Sequence, residues 1–370
     1  MSDQHVGVRR RRSRVPWQRI VPLTAGLAVV VWALALSEPE RQPDQTNSPV
    51  AVVPSWNGPA TVDLPGVLDD GSSYEPRLFL DPATSVGVAT TTDGAVRVIM
   101  AKAPGSFTAL HSRPAADHAQ VNGFAVDGDT LVWMESTARG GSATTTALWR
   151  ANLKSTRSPV QVTTNTGDVN FSGLATDVVI RDGRVTWTSV GSDEPARTQV
   201  RSVPVGGGQV GIRPLTGEFL LTTPPWAVSV PAGPGSPVTL QNLDTDKRVN
   251  VTTVAGEAAT CDPTWCRVTV AGDAGLVGID LMHPDGSGRV RVAGPEATPT
   301  IGDATLLDRY VPLAVDRADG VGLSLYDVST GRTQLVAQRA ANVGGRGAIL
   351  WWSTGVGSGV VWHALDLSRV

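Results

Sequence analysis

Hydrophobic and polar residues alternate along most of this chain in short runs, and each run ends at a turn rich in Gly, Asp, Asn or Pro. In LSLYDVSTGRTQLV, Leu323 to Val336, two such runs flank the polar segment Ser-Thr-Gly-Arg. Alternation with a period of two is typical of β-strands that have one buried face, and a short polar segment between two such runs indicates a hairpin. The pattern therefore predicts an all-β protein built from hairpins.

The same hairpin recurs along the chain. Successive hairpins are separated by 52, 52, 38, 39 and 46 residues, and a further step of 38 reaches Val361; they begin at Val96, Leu148, Val200, Val238, Val277 and Leu323. Upstream of two of them, AVDGDTLVWMES and VIRDGRVTWTS each contain an Asp-Gly turn between two further strands. Repeats of about 40 to 50 residues with several short strands each predict a β-propeller.

A tryptophan recurs in the strand region before several hairpins. We interpret these side chains as packing residues wedged between neighbouring sheets, in preference to a platform for a ligand: Trp133, Trp187, Trp226, Trp265 and Trp351.

The last repeat is incomplete. It has strands in AILWWST and VVWHALDLSRV, but no residue after Val370 to form a fourth strand. An unpaired strand candidate, ATVDLPGVL, lies at the other end of the repeats, from Ala60 to Leu68. Pairing the two ends would remove two exposed sheet edges, which are prone to aggregation. We predict a seven-bladed propeller closed by the N- and C-terminal strands, with six blades as the alternative.

The N-terminal region differs from the repeats. Residues 1–19 carry six Arg and one Asp, residues 20–36 carry no charge, and residues 37–55 are polar and Pro-rich. The apolar run is just long enough to cross a bilayer as a helix, and the Arg cluster predicts a cytoplasmic N-terminus. We predict a cytoplasmic segment, a single transmembrane helix, a linker, and an extracytoplasmic propeller over residues 56–370. A cleaved signal peptide and a buried core helix are the alternatives.

The net charge of −3 is unevenly distributed. Residues 1–19 carry +5, so the remainder of the 370-residue chain carries −8. An acidic main body offers no electrostatic footprint for nucleic acid. We predict no nucleic-acid partner. The partners that we predict are the lipid bilayer, contacted by residues 20–36, and a protein or glycan of the envelope.

The two cysteines stand close together in TCDPTWC. In a hairpin, Cys261 and Cys266 face each other at disulfide distance, and outside the cytoplasm such a pair is oxidised. A zinc site needs four ligands, and the nearby His283 alone does not complete one. A redox pair normally has CxxC spacing, which is absent here. We predict a structural disulfide.

The sequence contains few signs of a catalytic site. There is no G-x-S-x-G, H-E-x-x-H or Walker A motif, and GGRG (Gly344 to Gly347) and VGGGQ (around Gly206) are interpreted as turns. His111 and His118 are interpreted as a loop pair without a ligand. Five aspartates are interpreted as turn residues: Asp127, Asp182, Asp262, Asp303 and Asp319. We predict no cofactor and no metal site, and the catalytic residues, if there are any, stay unassigned.

The repeat layout over about residues 55–370 resembles the TolB-like and WD40-like β-propellers, in particular the membrane-anchored type of actinobacteria, although the WD40 Gly-His and Trp-Asp signatures are absent. The resemblance implies a binding platform. Two function hypotheses follow: a binding or scaffolding module of the cell envelope, and an extracytoplasmic hydrolase or lyase acting on a sugar or lactone in the channel. Convergent Asp, Glu, His or Arg in the channel would favour the enzyme.

Overall fold

A computed structural model of the chain describes residue 56 and residues 58–138, 144–191, 197–300 and 302–370. All of them belong to one compact unit, Ala51–Val370. The predicted cytoplasmic segment, transmembrane helix and linker lie outside the described residues. Within the described ranges, no helix is long and apolar enough to cross a membrane.

The described part of the chain contains 29 strands and three short 3-10 helices. The strands are, in chain order, β1 (Val62–Pro65); β2 (Ser73–Asp81), β3 (Thr84–Thr90), β4 (Val96–Lys102) and β5 (Ser106–Arg113) of blade 1; β6 (Gln120–Asp127), β7 (Thr130–Thr137), β8 (Thr145–Asn152) and β9 (Val160–Thr163) of blade 2; β10 (Asp168–Val169), β11 (Val178–Arg181), β12 (Arg184–Val190), β13 (Arg197–Pro204) and β14 (Gly211–Thr216) of blade 3; β15 (Phe219–Leu221), β16 (Trp226–Ser229), β17 (Val238–Asn242) and β18 (Arg248–Val251) of blade 4; β19 (Glu257–Cys261), β20 (Cys266–Gly272), β21 (Gly275–Met282) and β22 (Val290–Ala293) of blade 5; β23 (Ala297–Pro299), β24 (Tyr310–Arg317), β25 (Gly320–Asp327) and β26 (Arg332–Ala337) of blade 6; and β27 (Ala341–Arg346), β28 (Ile349–Thr354) and β29 (Val361–Asp366) of blade 7. The 3-10 helices are Ala115–Asp117, Gly357–Gly359 and Leu367–Arg369.

Each blade is an antiparallel sheet, and in blades 1, 2, 4, 5 and 6 the strands pair in chain order, as in β2-β3-β4-β5. The predicted hairpins form the third and fourth strands of blades 1 to 6, and LSLYDVSTGRTQLV forms β25 and β26, with Asp327 opposite Arg332. In blade 3 the inner strand is split, so that both β10 and β11 pair with β12. The prediction of a propeller is therefore confirmed.

The N-terminal strand completes the last blade. β1 pairs with β29 in antiparallel register, with Val62 opposite Ala364 and Pro65 opposite Val361. Leu64 of β1 is fully buried in a core cluster that contains Tyr74 of blade 1. The described residues thus form seven sheets, which confirms the predicted closure and shows that the six-bladed alternative is wrong.

The hydrophobic cores lie between neighbouring blades. Trp133 and Trp187 are fully buried, and Trp351 is 7% exposed, so the packing interpretation is confirmed for these three. The other two are half-buried and also pack against core clusters, Trp226 against the cluster that contains Leu240 and Trp265 against the cluster that contains Ile279. Trp265 stacks on His283 with a centroid distance of 4.1 Å, and Trp226 is half-buried and faces a cavity.

Candidate functional site

A cavity of about 260 Å³ lies where the inner strands of several blades meet. β2, β6 and β27 line it, together with residues 173–175 and Asp177, which precede β11, and Gly302, which follows β23. Inner strands surround the central channel of a propeller, so this cavity belongs to the channel. Five blades therefore contribute to one site, although their contributions are far apart in sequence.

Two acidic groups line this cavity. The carboxylate of Asp177 accepts hydrogen bonds from the backbone N–H groups of Ser172 and Gly173, at 3.0 and 2.9 Å. Burial raises the pKa of Asp177 to about 6 in spite of these bonds. Glu75 is exposed and forms an ion pair with Arg77 at 3.0 Å. Glu75 is therefore paired with a cation. No hydrogen bond or ion pair among the described residues joins Asp177 to a cationic side chain.

Amide side chains and bare backbone supply the rest of the polar wall. Asn122 and Asn342 both line the cavity, and the Asn342 amide donates a hydrogen bond to Ser353 at 2.9 Å. Gly344 has no room for a side chain, because a Cβ there would lie 2.5 Å from the Trp351 ring. Because β27 packs closely against the Trp351 ring at Gly344, the peptide groups of this strand are exposed to the cavity.

An arginine crosses between blades beside this cavity. Arg346, at the end of β27, donates a hydrogen bond of 2.8 Å to the backbone oxygen of Phe124 in β6. Burial lowers the pKa of Arg346 and raises that of Asp303, and the opposite charges of these two groups oppose both shifts. Arg267 is held nearby through its hydrogen bond of 3.1 Å to the Asp303 backbone oxygen, and burial lowers its pKa to about 10.

The five predicted turn aspartates divide into two groups. Asp127, Asp182 and Asp319 are exposed at turns, as predicted. Asp262 is buried, and its carboxylate accepts hydrogen bonds from the backbone N–H groups of Thr264 and Trp265 at 2.8 and 2.7 Å. Burial raises the pKa of Asp262 to about 6. Asp303 is partly buried against Arg267 and Arg346, so the interpretation as a simple turn residue is wrong for Asp303 and incomplete for Asp262.

Two further sequence interpretations need correction. His111 lies in β5, where its ring is 3.1 Å from the buried carboxylate of Glu135, whereas His118 is exposed and caps a 3-10 helix. They are therefore not a loop pair. GGRG is not a turn as a whole, because Gly344, Gly345 and Arg346 lie in β27. The VGGGQ segment does form the turn between β13 and β14.

The predicted disulfide is present. Cys261 and Cys266 are directly opposite in the register of β19 and β20, with a Cα–Cα distance of 4.0 Å. His283 contacts the Thr264 backbone oxygen at 3.0 Å and the Trp265 ring, both in the same hairpin. Within the described ranges, no group of three or more His, Cys, Asp and Glu side chains is arranged to hold a metal ion.

A larger cavity, of about 420 Å³, lies between blades 3 and 4. Its wall includes three arginines beside an aromatic ring: Arg181, Arg184, Arg213 and Trp226. Arg181 forms an ion pair with Asp244 at 2.6 Å, and Arg213 forms one with Asp246. Arg184 donates hydrogen bonds to the backbone and side-chain oxygens of Ser202. Because all three guanidinium groups are bound to partners in the same chain, the channel cavity is the stronger candidate.

Asp177 and Arg346 are residues of this site that the sequence does not predict. Asp177 lies in no motif, and Arg346 lies within GGRG, which the sequence indicates as a turn. The alternating pattern by itself does not tell which face of an inner strand lines the channel. The one available signal is the Gly-Gly pair before Arg346 in β27, where a strand without side chains indicates close approach of another group.

Several solved structures resemble this fold. A puromycin-hydrolyzing peptidase of Mycobacterium tuberculosis matches with 15% identity over 85% of this chain and 55% of that chain, at a TM-score of 0.51. A prolyl endopeptidase matches with 9% identity over 84% of this chain and 48% of that one, at a TM-score of 0.52. TolB from Acinetobacter baumannii matches with 15% identity over 65% of this chain and 55% of that chain, at 0.39, which is too loose to carry an argument.

These likenesses establish the propeller fold alone. The chain spans about half the length of the two peptidases that it resembles. No protein-family model and no curated protein matches it.

Proposed function

We propose that this chain is a binding module of the cell envelope, anchored by residues 20–36, whose channel cavity holds a glycan. The observation that carries the proposal is the polar wall of the cavity, where Asp177, Asn122 and Asn342 come from three different blades. Sugar hydroxyls both donate and accept hydrogen bonds, and amide and carboxylate groups offer matching partners. The aromatic rings at the wall add the apolar surface that such pockets need.

The envelope location is supported by two features. The basic and apolar N-terminal segments fit a membrane anchor with a cytoplasmic N-terminus. The disulfide between Cys261 and Cys266 fits an oxidising compartment. A reporter that is active only in the cytoplasm, fused after Val370, should be silent in cells, while the same reporter fused before Ile20 should be active. Activity of the C-terminal fusion would contradict the envelope location.

Glycan binding is tested with the full chain in detergent. Saturation-transfer NMR against a panel of envelope oligosaccharides should show contact with at least one of them, and titration calorimetry should give its affinity. Asn122→Ala and Asp177→Asn should each weaken binding about tenfold or more, since each removes about one buried hydrogen bond to the oligosaccharide. Asp177→Asn also removes a charge. Asn250→Ala is the matched control, because Asn250 is on outer strand β18, where its partner is Thr239.

The outcome separates the candidate ligands. If no oligosaccharide shows saturation transfer, the glycan proposal fails. If a protein partner binds instead, and its binding depends on the same two side chains, the cavity is a protein-recognition site.

A hydrolase or lyase acting on a sugar or lactone is the second candidate. The raised pKa of Asp177, about 6, favours it, because general acids and bases work best near the ambient pH. Turnover of a glycoside or lactone that is lost in Asp177→Asn would support this candidate. Tight binding without turnover would support the binding module.

A further inference from the structure

Three side chains on blade 7 form a hydroxyl–imidazole–carboxylate series. The Thr354 hydroxyl oxygen is 2.7 Å from Nε2 of His363, and Nδ1 of His363 is 2.7 Å from an oxygen of Asp63. They belong to three adjacent strands, β28, β29 and β1, so the N-terminal strand supplies the acid and the C-terminal strands supply the other two groups. The series is assembled only when the ring closes.

When the His363 imidazole is neutral, its two hydrogen bonds determine which group donates and which accepts. A carboxylate can only accept, so Nδ1 of His363 carries the proton toward Asp63. Nε2 is then an acceptor, and the Thr354 hydroxyl donates to it. This is the arrangement in which a histidine takes the proton of a nucleophilic hydroxyl while an acid orients the ring.

The ring of His363 is further held by packing. Trp352, opposite it on β28, stacks with the imidazole at a centroid distance of 5.5 Å and an angle of 29°. The site is nevertheless open to solvent, because the side chains of His363 and Asp63 are 17% and 60% exposed and Thr354 is half-buried. A small substrate can therefore reach the hydroxyl.

Backbone donors follow the hydroxyl directly in sequence. Residues 355–359 are Gly-Val-Gly-Ser-Gly, and Gly355 adopts a φ of +80°, where a Cβ would lie 2.0 Å from the Gly359 backbone oxygen. Among the described residues, the backbone N–H groups of Gly355 and Val356 donate to no backbone carbonyl. Free amide groups next to a nucleophile are the usual donors to an oxyanion.

We propose that Thr354, His363 and Asp63 form a hydrolytic site for small carboxylic esters, separate from the channel cavity. The Thr354 oxygen attacks the ester carbonyl carbon while Nε2 of His363 takes the hydroxyl proton. The bond from the carbonyl carbon to the alcohol oxygen breaks, and the alcohol leaves with that proton. Water then attacks the acyl-threonine, again through His363, which releases the acid and restores the hydroxyl.

The full chain in detergent is assayed with p-nitrophenyl acetate and labelled with a fluorophosphonate. We expect hydrolysis above the buffer rate, and an adduct that peptide mass spectrometry places on Thr354. Thr354→Val and His363→Gln should lower the rate at least about tenfold, since each removes a member of the series, whereas Thr354→Ser should keep it. Thr146→Val is the matched control, because the Thr146 hydroxyl lies 2.8 Å from the hydroxyl of Ser136 and, among the described residues, has no imidazole partner.

Two results would overturn the proposal. One is a wild-type rate in folded Thr354→Val, and the other is a fluorophosphonate-treated wild-type chain without an adduct on Thr354. If Thr354→Val does not fold, as judged by circular dichroism, the adduct on the wild-type chain decides by itself.

Discussion

At the scale of single residues, burial separates aspartates that look alike in the sequence. Asp177 and Asp262 are buried, and burial raises the pKa of each to about 6. Asp70 is exposed, and hydrogen bonds from Ser72 and Arg97 lower its pKa to about 2. All three carboxylates accept backbone or side-chain hydrogen bonds, so the difference in sign comes from the loss of solvation.

Asp177→Asn should change how stability depends on pH. The pKa of Asp177 is higher in the folded state than its ordinary value of about 3.9, so its contribution to the free energy of unfolding is full below about pH 4 and is lost as the pH rises toward 6. Urea unfolding of residues 51–370 should therefore show the variant gaining about 2 kcal/mol on the wild type between pH 4 and pH 7.

Asp70→Asn is the control of opposite sign. The lowered pKa of Asp70 means that its contribution to stability is present above about pH 4 and is lost as the pH falls toward 2. Stability curves for Asp177→Asn and wild type that run parallel from pH 4 to pH 7 would contradict the raised pKa.

At the scale of elements, the β19–β20 hairpin combines two local constraints. The disulfide joins the directly opposed Cys261 and Cys266, and the Asp262 carboxylate binds two backbone N–H groups within the turn. Both constraints involve residues at most five positions apart. Because so short a loop has little chain entropy to lose, the disulfide adds only a modest amount to stability.

The double variant Cys261→Ala/Cys266→Ala should lose about 2 kcal/mol in the free energy of unfolding, measured with urea under oxidising conditions. Adding reductant should destabilise the wild type by a similar amount and leave the variant unchanged. Equal stability of the oxidised wild type and the variant would mean that the disulfide does not constrain the unfolded chain.

At the scale of the whole molecule, one short strand closes the ring. β1 contributes four residues, yet it bonds to β29 and places Leu64 in the core between blades 7 and 1. The amide of Gly66 extends this contact through a hydrogen bond of 2.8 Å to the Val360 backbone oxygen. Without β1, β29 would become an exposed sheet edge.

A chain beginning at Asp69 should therefore be less stable throughout than one beginning at Ala51, which keeps β1. Thermal melting followed by tryptophan fluorescence and by circular dichroism should show a lower midpoint by both probes. Leu64→Ala in the longer chain should cost about 2 to 5 kcal/mol, as for other buried leucines. Equal midpoints for the two chains would show that β1 does not stabilise the ring.

The local sequence determined the elements of this protein. Alternation predicted the strands, Asp-Gly and Ser-Thr-Gly turns predicted the hairpins, and the spacing of the repeats predicted seven blades. Even the closing strand could be predicted, because the unpaired strands at the two ends of a repeat array can pair with each other and so remove two exposed sheet edges. The disulfide followed for the same reason, since its two residues are only five positions apart.

Only the tertiary structure determined which side chains come together at the candidate sites. Arg346 bonds to Phe124 across 222 positions, and His363 bonds to Asp63 across 300, so neither contact leaves a local pattern. Asp177 shares its cavity with residues of four other blades, and its raised pKa depends on burial that the blades create together. Strand patterns depend on near neighbours in the chain, whereas sites in a propeller depend on which blades the closed ring brings together.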